Sequence, residues 1–263
     1  MPIATRGGTG TFWRTWGDSE AEALLIHCSL GHSGAWKGIA PELGRTCVAF
    51  DLPGHGQSGP LVDGVDFHAQ ATAMAESFLH SDPIDVISHS FGATVALRLA
   101  MENPARVRHL VLIEPVLISA AQGTQAYKDY EVEFAPFYHA MADNDPMRAA
   151  EIFTDCWGAG PGWADLRAGQ KQALADKIHV IPREDPAIYH DNAGLLRDGW
   201  LEKTDMPVLL LDGSESPPII AAIADGLQAR LPNVRRKRLD HMGHMAPLTH
   251  PIEVAGIIRD FLS

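Results

Sequence analysis

Ser90 stands at the centre of Ser88-His89-Ser90-Phe91-Gly92, directly after the β-branched run IDVIS at 84–88 and before ATVALRLAMEN, whose Val95, Ala96, Leu99 and Ala100 share one helical face. A strand that turns at once into a helix forces its central residue into a strained conformation and exposes that side chain at the carboxyl edge of a sheet. The positions two before and two after it must be small, because backbone packs closely there. The pattern is G-x-S-x-G with Ser88, still small, at the first glycine. A serine presented in this way becomes a nucleophile once a base takes its proton. His244 is the expected base: in DHMGHMAPLTHP it follows the charged run RRKRLD and Gly243, in a loop able to bring an imidazole to the hydroxyl. His241 is the rival, less favoured because it sits nearer the end of the strand. In LLIHCSLGHSGAW a strand ends in a turn of small residues, so the amide of Ser29, together with that of Phe91, is expected to form an oxyanion hole. His27 is expected to bond loop backbone, and His32 and His89 to line the pocket mouth.

Other chemistries have weaker claims. Asp240, His241, His244 and His250 lack any recognised zinc-ligand spacing or an HExxH helix. Gly54, Gly56 and Gly59 in FDLPGHGQSG spell a literal GxGxxG after a strand, but Pro60, Asp63 and Gly64 follow where a dinucleotide site needs a helix to receive the pyrophosphate. No cofactor and no metal are expected. Cys28, Cys47 and Cys156 form neither an even set nor a CxxC pair and read as buried apolar filler.

The elements that must position these residues are legible as buried runs: 23–28, 46–51, 84–88, 109–114 and 207–212 read as parallel strands. Between two of them Ala71, Met74, Ala75, Phe78 and Leu79 recur at helical spacing, so a crossover helix covers one sheet face. Alternation of strand and helix predicts a doubly wound α/β sheet. TFWRTW is expected as an antiparallel edge strand. RRKRLD is a charged strand whose Arg235, Arg236, Lys237 and Arg238 protect an edge rather than bind nucleic acid. The rhythm breaks from about 117 to 205, where YKDYEVEFAPFYHAMA, DPMRAAEIFTDCW and WADLRAGQKQALADKI have helix-compatible spacing and Asp145 before Pro146 marks a helix start. Trp157, Trp163, Phe134, Phe137 and Tyr138 there either line an apolar pocket or pack the insertion onto the core.

Charge narrows the partners. The chain of 263 residues carries a formal net charge of −12, and residues 119–205 hold 15 acidic against 8 basic side chains. Nucleic acid, anionic membrane surfaces and anionic substrates are poor partners for such a protein. MPIATRGGTGTFWRTW lacks a signal-peptide core and no apolar run is long enough to span a bilayer, so a cytoplasmic location is expected.

HCSLGHSGAW, DLPGHGQSG, SHSFG, LVLIEP and GHMAPLTHP, in this order and spacing, make the chain resemble the α/β-hydrolase family over almost its whole length. The resemblance implies a mostly parallel eight-stranded sheet, a core of 1–116 and 206–263, and a helical cap of 117–205 between the sixth and seventh strands. It carries over Ser90 as nucleophile, His244 as base and the Ser29 and Phe91 amides as oxyanion donors. The family's common acid position, three residues after the glycine beyond strand seven, is here Ser216, which cannot supply a charge. Glu114, at the end of LVLIEP, matches an alternative acid position. Glu215 and Asp212 are the other candidates, and a dyad without an acid is the remaining one.

The expected reaction is acyl transfer to water through an acyl-Ser90 intermediate, on an ester, lactone, thioester or C–C bond beside a ketone. The alkyl-enzyme route of dehalogenases and epoxide hydrolases is disfavoured by serine in place of aspartate. The substrate is expected to be small and neutral or apolar, and the protein a monomer or homodimer. An acyltransferase and a hydrolase-like ligand receptor with slow turnover are the alternatives.

Overall fold

The computed structural model describes residues 3–158 and 162–263. Met1 and Pro2, and Ala159, Gly160 and Pro161 inside the expected insertion, lie outside the described residues. Eight strands, β1 (Ile3–Arg6), β2 (Thr9–Trp16), β3 (Ala23–Ile26), β4 (Cys47–Phe50), β5 (Ile84–His89), β6 (Val107–Ile113), β7 (Val208–Gly213) and β8 (Val234–Leu239), form one sheet. Their spatial order is β1-β2-β4-β3-β5-β6-β7-β8. The β1–β2 and β2–β4 pairs are antiparallel and the remaining pairs parallel.

Period-2 alternation divides each central strand between two cores. Leu24, Ile26, Val86, Leu110, Leu112, Val208 and Leu210 face α1 (Phe67–Glu76) and α2 (Phe91–Glu102). Leu25, Ile87, Val111, Ile113, Leu209 and Leu211 turn the other way and pack with Trp36, Val254, Ala255 and Ile258. Because both faces are covered, the central runs are continuously apolar. Between β6 and β7 lie α3 (Gln125–Ala142), α4 (Pro146–Trp157), α5 (Ala168–Ala175) and α6 (Asp185–Ile188). Their buried residues, Phe134, Phe137, Ala149 and Ile188 among them, belong to the same apolar cluster as α1 and α2. After β7 come α7 (Pro218–Gln228), α8 (Ala246–Thr249) and α9 (Pro251–Leu262).

Among the elements, the expectations for TFWRTW and for WADLRAGQKQALADKI differ from the structure. TFWRTW is antiparallel, but it lies one strand in from the edge: Gly7 and Gly8, at φ 54 and 81, form a two-residue turn that folds β1 back onto it. WADLRAGQKQALADKI is not one helix. It breaks into a 3-10 turn at Trp163–Asp165 and the short α5, on which only Ala175 is buried, so little apolar area holds a longer helix in place. Asp145 does cap α4, its side chain accepting from the Arg148 amide at 3.0 Å.

Candidate active site

Ser90 joins β5 to α2 with φ 57 and ψ −124, a left-handed strain that lifts its side chain clear of both elements. Gly92 is required beside it: a Cβ there would fall 2.5 Å from the carbonyl oxygens of Ile26 and His27. The serine at the usual first glycine is accommodated because Ser88 is fully buried and its hydroxyl donates to the Val111 carbonyl at 2.7 Å.

His244 and Glu114 complete a hydrogen-bonded chain. His244 Nε2 lies 3.0 Å from Ser90 Oγ, and His244 Nδ1 lies 3.1 Å from Glu114 Oε2. Glu114 is fully buried and holds φ 52 just past β6, its amide donating to the Leu211 carbonyl at 2.8 Å. The Gly213 amide donates to Glu114 Oε1, so the carboxyl is gripped from one side and presented to the imidazole on the other.

The competing acids are engaged elsewhere. Asp212 accepts from Arg236 Nε at 2.7 Å and from a second guanidinium nitrogen at 2.9 Å. Arg236 also reaches Asp225 at 2.5 Å, so this member of the basic run on the edge strand β8 pairs internally. Glu215 is 63% exposed and lies 3.9 Å from His241, itself 94% exposed. His250 bonds its neighbour Thr249 at 2.8 Å. Among the described residues no group of His, Cys, Asp and Glu is arranged to hold a metal ion.

The tight turn that delivers His244 is not at Gly243. It is His241, with φ 58, that takes the left-handed conformation. The loop is then fixed by His89, whose Nε2 donates to the His244 carbonyl at 2.8 Å. His89 is 2% exposed and does not line the pocket mouth, which corrects the sequence expectation. Burial, followed by the neighbouring His244, holds the His89 imidazole down to about 3, so it is a neutral ring with one N–H to give. His32 does border the large cavity, and it also caps the 3-10 turn Ser33–Gly38 by accepting from the Gly34 amide at 3.0 Å.

The loop after β3 is laced to the loop after β4. His27 Nδ1 donates to the Cys28 carbonyl at 2.7 Å while its Nε2 accepts from the Leu52 amide at 2.9 Å. His55 Nδ1 donates to the Pro53 carbonyl at 2.9 Å and its Nε2 accepts from the Leu30 amide at 3.0 Å. Each ring uses one nitrogen as donor and the other as acceptor, which only the neutral form allows. Burial enforces that form, with values of about 3 for His27 and about 4 for His55. Asp51 accepts from the amides of Ser33 at 2.6 Å and Gln57 at 2.8 Å, and a Cβ on Gly56, at φ 53, would strike its carboxylate. The glycines of DLPGHGQSG thus serve a turn that braces the Ser29 loop. Phe91 is the first residue of α2, where a helix leaves its amides free for an acceptor.

Ser90 and His244 border two cavities at once. The larger, about 1150 Å³, opens past Trp13, Trp16, His32 and Leu248; the smaller, about 30 Å³, is closed in by α3, α4 and α6. Trp157 borders both and stands edge-on to His244 with ring centroids 4.8 Å apart. Of the other aromatic residues singled out in the insertion, Phe134 and Tyr138 line the inner chamber, whereas Phe137 is buried in the core and Trp163 borders neither cavity. Two carboxyls in the inner chamber, Glu184 and Asp185, had no signal in the sequence, because nothing in the run IPREDPAIY separates a buried acid from a solvated one.

A serine, an imidazole and a carboxyl in line, beside a helix N-terminus and a cavity, form an arrangement that can transfer an acyl group. Comparison with known proteins agrees with the architecture. The family model described as alpha/beta hydrolase fold matches residues 24–251. The chain is 28% identical to lipase LipV of Mycobacterium tuberculosis, covering 92% of this chain and 93% of that one. It is also 28% identical to the pimeloyl-(acyl-carrier protein) methyl ester esterase of Aromatoleum aromaticum, covering 91% of this chain and 97% of the other. An alpha/beta hydrolase from Sphaerobacter thermophilus superposes with a TM-score of 0.72 at 20% identity, over 100% of both chains. With the family match running through all but the first strands and the last helix, the chain belongs to the α/β-hydrolase fold family.

Proposed function

We propose that the protein is a serine hydrolase of carboxylic esters, with Ser90 as nucleophile, His244 as base, Glu114 as acid and the amides of Ser29 and Phe91 as the oxyanion hole. The observation that carries this reading is the continuous Ser90–His244–Glu114 chain, at 3.0 and 3.1 Å, at the junction of two cavities. Ser90 Oγ attacks the ester carbonyl as its proton passes to His244 Nε2. Glu114 accepts the Nδ1 proton's hydrogen bond and stabilises the imidazolium. The two amides hold the oxyanion. Collapse breaks the bond to the alcohol, which leaves with the proton from His244, and water repeats the sequence in reverse to free the acid.

In this reading residues 117–205 act as a lid over a core of 1–116 and 206–263, with Trp157 as the wall nearest the base. The curated relatives named as a lipase and as a methyl ester esterase support ester cleavage. Among the described residues no helix is long and apolar enough to cross a membrane. The acid excess of 119–205 favours a small neutral or apolar substrate over an anionic one, and a cytoplasmic monomer or homodimer belongs to the same reading.

The test is turnover of p-nitrophenyl acetate and butyrate by wild type and Ser90→Ala. Steady hydrolysis that vanishes in the variant is expected. Turnover unchanged by the substitution overturns the assignment, a strong acceleration by added alcohol points to transfer, and ligand-induced stabilisation without turnover points to a receptor.

A further inference from the structure

Glu184, which borders the inner chamber, carries a buried polar atom that the hydrolytic chain does not use. Glu184 follows the 3-10 turn Ile178–Arg183 and is only 3% exposed. Its Oε2 accepts from Ser29 Oγ at 2.8 Å, and its Oε1, also buried, has no hydrogen-bond partner among the described residues. Neighbouring Asp185 is already engaged, accepting from the Tyr138 hydroxyl at 2.9 Å. The rest of the chamber wall is largely apolar or aromatic, including Val116, Phe134 and Ile188. Burial drives the Glu184 carboxyl up to about 8, against the opposing Ser29 hydrogen bond and with help from Asp185, so at neutral pH it carries a proton it can donate.

We infer that Glu184 is a specificity residue for acyl groups bearing a hydroxyl on the second or third carbon, with that hydroxyl seated in the inner chamber against Glu184 Oε1. This rests on the ester-hydrolase reading above. Three observations select the group. The chamber, at about 30 Å³, admits roughly one water-sized substituent. Ser29 links the two ends: its amide belongs to the proposed oxyanion hole and its hydroxyl donates to Glu184 Oε2, which places the recognised oxygen on the acyl chain, on the carbonyl side of the scissile bond. The excess of acid in 119–205 repels a carboxylate there, and an ammonium would have to shed its water to enter so small a space, so a neutral hydroxyl enters most easily. The leaving alcohol then extends into the larger cavity of about 1150 Å³.

The experiment compares kcat/KM, by pH-stat, for methyl 2-hydroxybutanoate, methyl 3-hydroxybutanoate, methyl butanoate and methyl 2-aminobutanoate. Ratios to methyl butanoate are taken within each protein, so that a general loss of activity cancels. Wild type should favour one hydroxy ester by about tenfold, the discrimination one hydrogen bond provides. Glu184→Leu should bring that ratio close to its value in free solution, and Glu184→Gln, whose amide can still donate, should fall between; Glu184→Met replaces the leucine variant should that one not fold. A wild-type ratio near one, a ratio unchanged in the apolar variant, or preference for the amino ester overturns the inference while leaving ester hydrolysis intact. No Ser90-dependent turnover of any of the four esters is instead a failure of the hydrolase reading itself.

Discussion

Glu114 holds a conformation few glutamates adopt, with φ 52, and gains from it a carboxyl shared between the Gly213 amide and His244. Replacing it with glutamine keeps the shape but removes the charge that stabilises the imidazolium. Glu114→Gln should therefore lower kcat on p-nitrophenyl butyrate by about 10³–10⁴, while Asp212→Asn leaves the reaction in place and costs about 1 kcal/mol of stability, because Arg236 loses one carboxylate and keeps Asp225. Denaturant melts and steady-state rates on both variants separate the roles, and a comparable rate loss in Asp212→Asn would reverse them. Glu184 makes a second prediction. Its folded value, about 8, lies above that of an unfolded glutamate, so the native state holds a proton the unfolded chain has lost. Stability from this group is complete below about pH 4 and declines as pH rises through the folded value, by on the order of 3 kcal/mol at pH 7. Glu184→Gln should melt above wild type at pH 8, with the gap shrinking toward pH 5; a gap independent of pH would show that the carboxyl is ionised throughout.

Among the elements, the start of β5 is an electrostatic node. Asp85, fully buried, accepts from Arg108 Nε at 2.8 Å and from His109 Nδ1 at 2.9 Å and pairs with Arg45, so one carboxylate ties β5 to β6 and to the turn before β4. Burial alone would raise its carboxyl, but the hydrogen bonds from Arg108 and His109 and the two guanidinium charges outweigh it and hold the group below the usual carboxylate range. A depressed value means that the stabilisation is present above about pH 4 and is lost as pH falls through the folded value. Asp85→Asn should be about 3 kcal/mol less stable than wild type at pH 7, and the difference should close in acid denaturation below about pH 4. A difference that persists there would mean that the carboxylate's charge is not what ties the strands. At the other end of β5 the requirement is steric, since Gly92 touches the carbonyls of β3 and of His27. The strand–turn–helix at Ser90 and the laced loops after β3 and β4 are thus one packed unit, a physical reason for SHSFG, HCSLGHS and DLPGHGQS to carry the family resemblance together.

At the scale of the whole molecule, the sheet order brings together residues far apart in the chain. Ser90, Glu114 and His244 end β5, β6 and the loop after β8, and parallel pairing sets the first two side by side at the same edge. The helices between β6 and β7 then cover that edge, their apolar residues continuing the core, and the space around Ser90 is divided into a large cavity and a small one. In the proposed reading, substrate choice is a property of this division more than of the hydrogen-bonded chain beneath it.

The sequence by itself determined the doubly wound sheet, because fully buried strands and amphipathic helices write their burial directly into periodicity. It also singled out Ser90 and His244, because a strand–turn–helix and a loop beyond the last strand are local features. It left the carboxylate open among Glu114, Asp212 and Glu215, since three acids near two strand ends look alike until the fold sends one to His244, one to Arg236 and one to solvent. Gly7-Gly8 carried a hairpin signal, yet β1 became an edge strand only by finding β2 to pair with. His89 and Glu184 were decided by tertiary structure alone. A hydrogen bond to a carbonyl 155 residues away, and a carboxyl desolvated by helices that have no partner until the sheet exists, arise from packing between segments rather than from any pattern within one.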